Sequence, residues 1–309
     1  MGKILITTSS FNLETPEIKA LQQAGYEIVL NPYGRRLSET EVSELLTPDI
    51  VGMIAGVEPL TRDVIENAES LQVISRCGIG MDSVDLDAAK EKGIPVFNTP
   101  DAPTKAVAEL AIGLMLDCLR GISLQDRTIR NSEWTRPMGN LLGKQTVGLI
   151  GFGHIGQKVA EYAAAFGATI IAHDPFAQQT PQLVSLDDLL SQADIVSLHV
   201  PYSKENHHLL DEAEISKMKQ GSILINTSRG GLVNEDALAT ALQSRHLASA
   251  ALDVFEKEPY QGDLAKLDNI VLTAHVGSYA KEARIEQEAL AAANLLEGLN
   301  YNEKDVSHG

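Results

Sequence analysis

Three short segments hold the polar groups from which a hydride-and-proton reaction can be assembled. They are Asn226-Thr227-Ser228-Arg229-Gly230-Gly231, the stretch 251–259 with Asp253, Glu256 and Glu258, and Thr273-Ala274-His275-Val276-Gly277-Ser278. An arginine fork binds a carboxylate in a fixed plane. A hydride arriving at a carbonyl carbon leaves negative charge on the oxygen, which a cation and a proton donor can meet. Arg229 and His275 have those chemistries. A carboxylate beside an imidazole favours the protonated ring, and Glu256 and Glu258 compete for that position. Taken singly, Arg229 reads as a surface cation, and His275 reads equally as a satisfied core histidine or a catalytic one.

A fourth segment binds rather than reacts. Gly151-Phe152-Gly153-His154-Ile155-Gly156 follows the strand-like run 146–150 and precedes a helical stretch at 157–166, with Asp174 closing the next strand. In that context the glycines mark a dinucleotide turn. Gly151 makes the turn tight, Gly153 lets backbone approach a pyrophosphate, and Gly156 allows close helix–strand packing. Asp174 suits the adenosine ribose hydroxyls, and Pro175-Phe176-Ala177 offers no cation for a 2′-phosphate. NAD is expected over NADP. His207-His208 looks like a metal pair, but adjacent residues ordinarily diverge and no carboxylate or cysteine spacing supports them. They read as loop or surface residues, and no metal is expected.

Short β-branched runs alternate with helical patterns throughout, as in α/β folds with parallel sheets. Strands are expected at 3–7, 27–30, 50–54, 72–75 and 95–98, then at 146–150, 169–172, 195–198, 222–226, 248–252 and 270–272. Helices are expected at 16–24 and 85–92. One long amphipathic pattern runs over 103–130, and a closing helix over 281–299. At 309 residues two domains are the prior expectation. A net charge of −17 excludes a nucleic-acid or anionic-membrane footprint. Two cysteines, Cys77 and Cys118, make no disulfide framework. Without a signal-peptide pattern or a membrane-length apolar run, a cytoplasmic protein is expected. Trp134 is expected at a domain or subunit surface.

Together the four segments, with Arg76-Cys77-Gly78-Ile79-Gly80-Met81-Asp82-Ser83-Val84-Asp85 and Gly93-Ile94-Pro95-Val96-Phe97-Asn98-Thr99-Pro100, resemble the D-isomer-specific 2-hydroxyacid dehydrogenases. The short relatives of phosphoglycerate dehydrogenase are the nearest in pattern. The resemblance covers nearly the whole chain. It implies two Rossmann-like, doubly wound parallel-sheet α/β domains with a cleft between them. Residues 1–99 plus 283–309 would form a flavodoxin-like substrate domain, and 100–282 the NAD-binding domain.

It further implies that Arg229 holds the substrate carboxylate, His275 is the general acid and base, and Glu258 is its partner. Thr227, Ser228 and Asp253 would lie along the nicotinamide, with Val200 and Gly277 also at the cofactor, and His154, Ile155 and Asp174 along the adenosine half. Arg76, the N–H groups of Gly78, Ile79 and Gly80, and Arg136 from a dimer partner would face the substrate, a small 2-keto or 2-hydroxy acid. The helix after Pro103 would help make a homodimer. An arginine usual after the third strand is missing, and Glu58 follows that position, which disfavours a phosphorylated acid. The family's long members carry a C-terminal regulatory domain, and none is expected here. 3-Phosphoglycerate oxidation and an NAD(H)-binding co-regulator stand as alternatives. Formate oxidation would leave the His275 and Glu258 pair superfluous.

Overall fold

The computed structural model describes residues 2–177 and 182–306, the last six as backbone only. Residues 1 and 307–309, counted above with the first domain, lie outside the described residues. The chain divides into two units, one running to Pro103 and resuming at Lys281, the other Thr104–Ala280.

In the first unit five parallel strands stand in the order β2-β1-β3-β4-β5: β1 Lys3–Ile6, β2 Glu27–Leu30, β3 Ile50–Ala55, β4 Val73–Arg76 and β5 Val96–Phe97. This is the flavodoxin-like order, whose crossovers reverse beside β1. Both faces of the sheet are covered, so its strands are apolar on both sides. Along β1, Ile4 and Ile6 enter one core with Leu295 and Leu299, while Leu5 enters the other with Val42, Val64 and Ile65. Leu295 and Leu299 belong to the closing helix α11, Lys281–Val306, which runs beyond the expected end at 299. The remaining helices are α1 Pro16–Gln23, α2 Glu39–Leu45, α3 Arg62–Asn67 and α4 Leu86–Glu91. Each begins at a side-chain cap, from Thr15, Ser38, Thr61 and Asp85.

The second unit holds six parallel strands in the order β11-β10-β9-β8-β6-β7. They are β6 Thr146–Ile150, β7 Thr169–His173, β8 Ile195–Leu198, β9 Ser222–Asn226, β10 Leu247–Leu252 and β11 Ile270–Leu272. Helices α5 (Thr104–Arg120) and α7 (His154–Ala165) cover one face over Val147, Leu149 and Ile225. The opposite face carries α8 (Leu186–Gln192), α9 (Glu212–Lys217) and α10 (Glu235–Gln243) over Val196, Leu198 and Leu224. The crossovers reverse between β6 and β8, the place where open α/β sheets bind ligands at their strands' carboxyl ends.

Two expectations are corrected. The stretch 103–130 is two helices, α5 and α6 (Ile122–Arg130), because Gly121 takes φ +60° between them. Asp117 fixes the break by accepting the Ser123 N–H at 2.8 Å and its hydroxyl. The helix after the glycine turn starts at His154 instead of residue 157, so the turn runs straight into it.

A Cβ at Gly121 would find ample space, with Pro137 Cγ 3.9 Å away, so Gly121→Ala is opposed by backbone strain alone. We expect it to destabilise by about 1–2 kcal/mol, the cost of a left-handed Cβ-bearing residue. Urea denaturation checks this, and an unchanged midpoint would show that the helix break is not strained.

Candidate active site

The glycine turn is built by the neighbouring strand. Beyond Ile150 the chain passes so close to the end of β8 that a Cβ on Gly151, at φ +96°, would overlap the His199 carbonyl and sit 2.7 Å from Val200 Cγ1. A Cβ on Gly156 would overlap the Gly151 carbonyl, so that glycine serves packing inside the turn. Gly153 differs: a Cβ there would meet no protein atom within 4 Å. It caps α7 without any side-chain hydrogen bond, so the helix's first N–H groups and positive dipole end are not covered by a cap. His154 and Ile155 open that helix. Asp174 closes β7 and accepts N–H bonds from Phe152 and Phe176, both at 2.8 Å. An open helix N-terminus and a carboxylate fixed beside it fit a dinucleotide. Behind the turn, burial pushes His199 down to about 4. It is a neutral packing histidine, its Nε2 at 2.9 Å from Ser197 Oγ.

Arg229 is presented by a turn that Asn226 organises. The Asn226 side chain accepts from Ser228 N at 3.0 Å and donates to the Arg229 carbonyl at 2.9 Å. Ser228 Oγ donates to Leu198 O at 2.7 Å, tying the turn to β8, and Arg229 Nη1 donates to Ser228 O at 2.7 Å. Thr227 Oγ1 is buried without a partner among the described residues. A buried hydroxyl rarely stays so, and Thr227 is one of the residues that the resemblance sets along the nicotinamide.

His275 is held by its neighbours in the sheet. Asp253, 1 % exposed at the end of β10, accepts from Thr273 Oγ1 at 2.5 Å, Val276 N at 2.9 Å and Gly277 N at 2.8 Å. Its carbonyl accepts the His275 N–H at 2.8 Å. This harness keeps His275 at φ +53°, a left-handed backbone that an L-residue adopts only under constraint. The ring's Nδ1 then lies 2.9 and 3.1 Å from the two Glu258 oxygens. Glu258 is itself anchored by the Phe255 N–H at 3.1 Å. With Nδ1–H directed at the carboxylate, Nε2 is the nitrogen that can exchange a proton outward.

The competition between two glutamates is thereby resolved. Glu258 meets His275, while Glu256 meets His208 Nε2 and donates its own N–H to Glu235 at 2.9 Å. Burial pushes the Glu235 carboxyl above the usual carboxylate range, and the Glu256 charge adds to the rise. The reading of His207-His208 as diverging neighbours is corrected too. His208 has φ +53°, which folds its ring onto His207 at 3.8 Å between centroids.

Asp253, which the resemblance sets along the nicotinamide, also braces the 273–277 loop through its carboxylate. Asn226 and Thr273 were missed: the first looks like one polar residue of a strand end, and the second gives no pattern without its partner.

In the first unit, Arg76 ends β4 and is buried. Its guanidinium donates to the Cys77 carbonyl and covers Gly78, where a Cβ would overlap it. Gly78 donates its N–H to the Arg76 carbonyl at 2.9 Å, so that N–H is engaged within its own loop. Asn98 Nδ2 holds the Ile79 carbonyl at 2.9 Å. Glu58, 1 % exposed, accepts from Thr7 Oγ1 and from Gly56 N at 3.0 Å. Arg136 is exposed on the segment after α6. Burial raises the Cys77 and Cys118 thiols to about 11 and about 12, so neither supplies a thiolate nucleophile.

Residues 112–277 match the model of the D-isomer specific 2-hydroxyacid dehydrogenase NAD binding domain. The chain is a D-isomer-specific 2-hydroxyacid dehydrogenase. It is 42 % identical over 258 residues to a hydroxypyruvate reductase of Thermotoga maritima, covering 80 % of this chain and 84 % of that one. It is 40 % identical over 305 residues to a D-3-phosphoglycerate dehydrogenase of Methanocaldococcus jannaschii, covering 96 % of this chain but 57 % of that longer enzyme. A glyoxylate reductase from Paecilomyes thermophila superposes with a TM-score of 0.85 at 31 % identity, over 95 % of this chain and 94 % of that one. This dehydrogenase uses NAD, and its glycine turn, Asp174 and the buried Thr227 hydroxyl are groups that could hold it.

Two outcomes are expected of this dehydrogenase. Asp253→Asn puts an NH2 or a weaker acceptor against three donors, so urea denaturation should show a loss of about 2–4 kcal/mol and turnover should fall with it. Full stability and activity in this variant would show that the 273–277 loop holds itself. NADH should be preferred to NADPH by roughly 100-fold or more in kcat/KM, from lost ribose bonds and added like charge. Asp174→Ala should narrow that gap and raise KM for NADH, because the glycine turn loses its anchor. Comparable kcat/KM for the two cofactors in the parent enzyme would remove Asp174 as the discriminator.

Proposed function

We propose that this dehydrogenase interconverts a small, unphosphorylated 2-keto acid and its D-2-hydroxy acid. The observation that carries the reading is the His275–Glu258 dyad, set at the same sheet edge as Arg229. Strands β9, β10 and β11 follow one another in one parallel sheet, so the segments that carry Arg229, Glu258 and His275 leave it at the same edge. Bound NAD supplies or accepts the hydride at C2. Arg229 binds the substrate carboxylate and draws charge from the reacting carbonyl oxygen. His275 gives that oxygen its Nε2 proton in reduction and takes it back in oxidation. Glu258 orients the ring through Nδ1 and stabilises the imidazolium.

Two residues of the first unit bear on the substrate's charge. Glu58 stands at the carboxyl end of that unit's sheet, where a phosphate-binding arginine is usual, and Arg76 is turned back onto its own loop. Both favour a monoanion. The Methanocaldococcus jannaschii relative keeps 3-phosphoglycerate as the second reading, and an NAD(H)-binding co-regulator would show no turnover at all.

The enzyme is a cytoplasmic homodimer in this reading. Among the described residues no helix is long and apolar enough to cross a membrane, and both cysteines are free. Trp134 and Met138 are 82 % and 98 % exposed, and Ile122, Ile129 and Leu141 are exposed with them. So much apolar surface on α6 and the segment after it suits burial against a second copy, which would also carry Arg136 to a neighbouring site.

The test is NADH oxidation against glyoxylate, hydroxypyruvate, pyruvate and phosphohydroxypyruvate. An unphosphorylated acid should exceed phosphohydroxypyruvate by roughly tenfold or more in kcat/KM, the scale of one altered pocket contact. The reverse order would establish the phosphoglycerate reading. On the preferred acid His275→Ala should lower kcat by roughly 10²–10⁴-fold, as for loss of a general acid, with NADH affinity by fluorescence titration nearly kept. Glu258→Gln should also lower kcat while Glu256→Gln does not. If Glu256→Gln is the damaging change, the dyad is misassigned.

A further inference from the structure

Outside the dyad the second unit gathers another set of ligating side chains. The loop after β8 is fixed by Asn206, which accepts the Ser203 N–H at 2.7 Å and donates to the Pro201 carbonyl at 2.8 Å. His207 and His208 follow, and the left-handed backbone at His208 stacks their rings. Glu256 reaches the same place from the segment after β10 and meets His208 Nε2. One ligand atom from each of His207, His208 and Glu256 lies within 4.8 Å of the others.

We propose that His207, His208 and Glu256 form a binding site for one divalent transition-metal ion of the zinc class. Two imidazoles and one carboxylate suit such an ion, which completes its shell with water. Magnesium and calcium take oxygen ligands and have no match here. The ligands are already oriented by outer contacts, as metal sites require. Tyr202 Oη lies 3.4 Å from His207 Nδ1, and Glu235 holds the Glu256 N–H at 2.9 Å. The ion would bind where His208 Nε2 and Glu256 now meet. Its site also joins two catalytic segments. His208 N donates to the Gly231 carbonyl at 2.8 Å, two residues beyond Arg229, and Glu256 lies two residues before Glu258. An occupied site therefore clamps the arginine turn to the glutamate turn.

The experiment uses full-length, tag-free protein, treated with chelator and then freed of it. Titration with Co²⁺, followed by its visible absorption, should show one ion per chain, displaced by Zn²⁺ and retained in millimolar Mg²⁺. His208→Ala and Glu256→Gln should each weaken Co²⁺ binding by roughly tenfold or more, while His246→Ala, outside the cluster, should not. Glu256→Gln preserves shape, so it decides the matter if His208→Ala fails to fold. No saturable binding, ready displacement by Mg²⁺, or unchanged affinity in Glu256→Gln would each overturn the proposal.

Discussion

The geometry of this site depends on one buried carboxylate. Asp253 gathers the Thr273 hydroxyl and the Val276 and Gly277 N–H groups, and its carbonyl takes the His275 N–H. These bonds hold a histidine in a backbone conformation that it would not choose alone. Hydrogen bonds to a charged acceptor are about twice as strong as neutral ones, which is the scale needed to offset that strain. Without them the loop would relax, and the imidazole would leave Glu258. A general acid must be within hydrogen-bond reach of its proton acceptor, so in the role proposed for His275 the stability of this loop and the chemistry are one problem.

The parallel sheet makes the arrangement economical. Each strand of the second unit ends at the same edge, so neighbours in the sheet become neighbours in the site although they are far apart in sequence. The side chains that end the strands do the bracing. Asn226 shapes the Arg229 turn, and Asp253 N donates to the Asn226 carbonyl at 2.9 Å, linking that turn to the next. Ser228 reaches across to Leu198 on β8. The cofactor turn obeys the same logic, with β8 pressing on Gly151 and leaving only Gly153 open toward a ligand.

Much of this was legible in the sequence because it depends on local pattern. Strands at 146–150, 195–198, 222–226 and 270–272 are marked by short β-branched runs between turn residues, and their ends are sharp. The glycine turn is readable because each glycine answers a separate steric demand. What escaped depends on contacts or backbone angles that periodicity does not encode. The amphipathic pattern over 103–130 continues through Gly121, and only its positive φ divides the helices. The inward turn of Arg76 onto Gly78 depends on tertiary packing. So does the pairing of Asp253 with residues some twenty positions onward. The His207-His208 reading failed for a related reason: a left-handed residue removes the divergence assumed for neighbours.

The two glutamates show how little sequence separation matters once a turn is set. Glu256 and Glu258 are two positions apart in one acidic stretch, yet they serve different histidines. Phe255 lies against the core and stacks on Tyr260 at 4.4 Å between ring centres, which anchors the turn at its start. Its N–H points to Glu258, and the next N–H, from Glu256, points to Glu235. Successive N–H groups facing opposite ways carry the two side chains apart, one toward His275 and one toward His208. Gly230 fits against the backbone of this same turn, where a Cβ would overlap Phe255. The arginine turn and the glutamate turn therefore cannot move independently: a shift large enough to free Glu258 must also displace the peptide that follows Arg229. In the proposed roles of Arg229 and His275, carboxylate binding and proton transfer are coupled through that backbone contact, and no side chain in either segment needs to touch both.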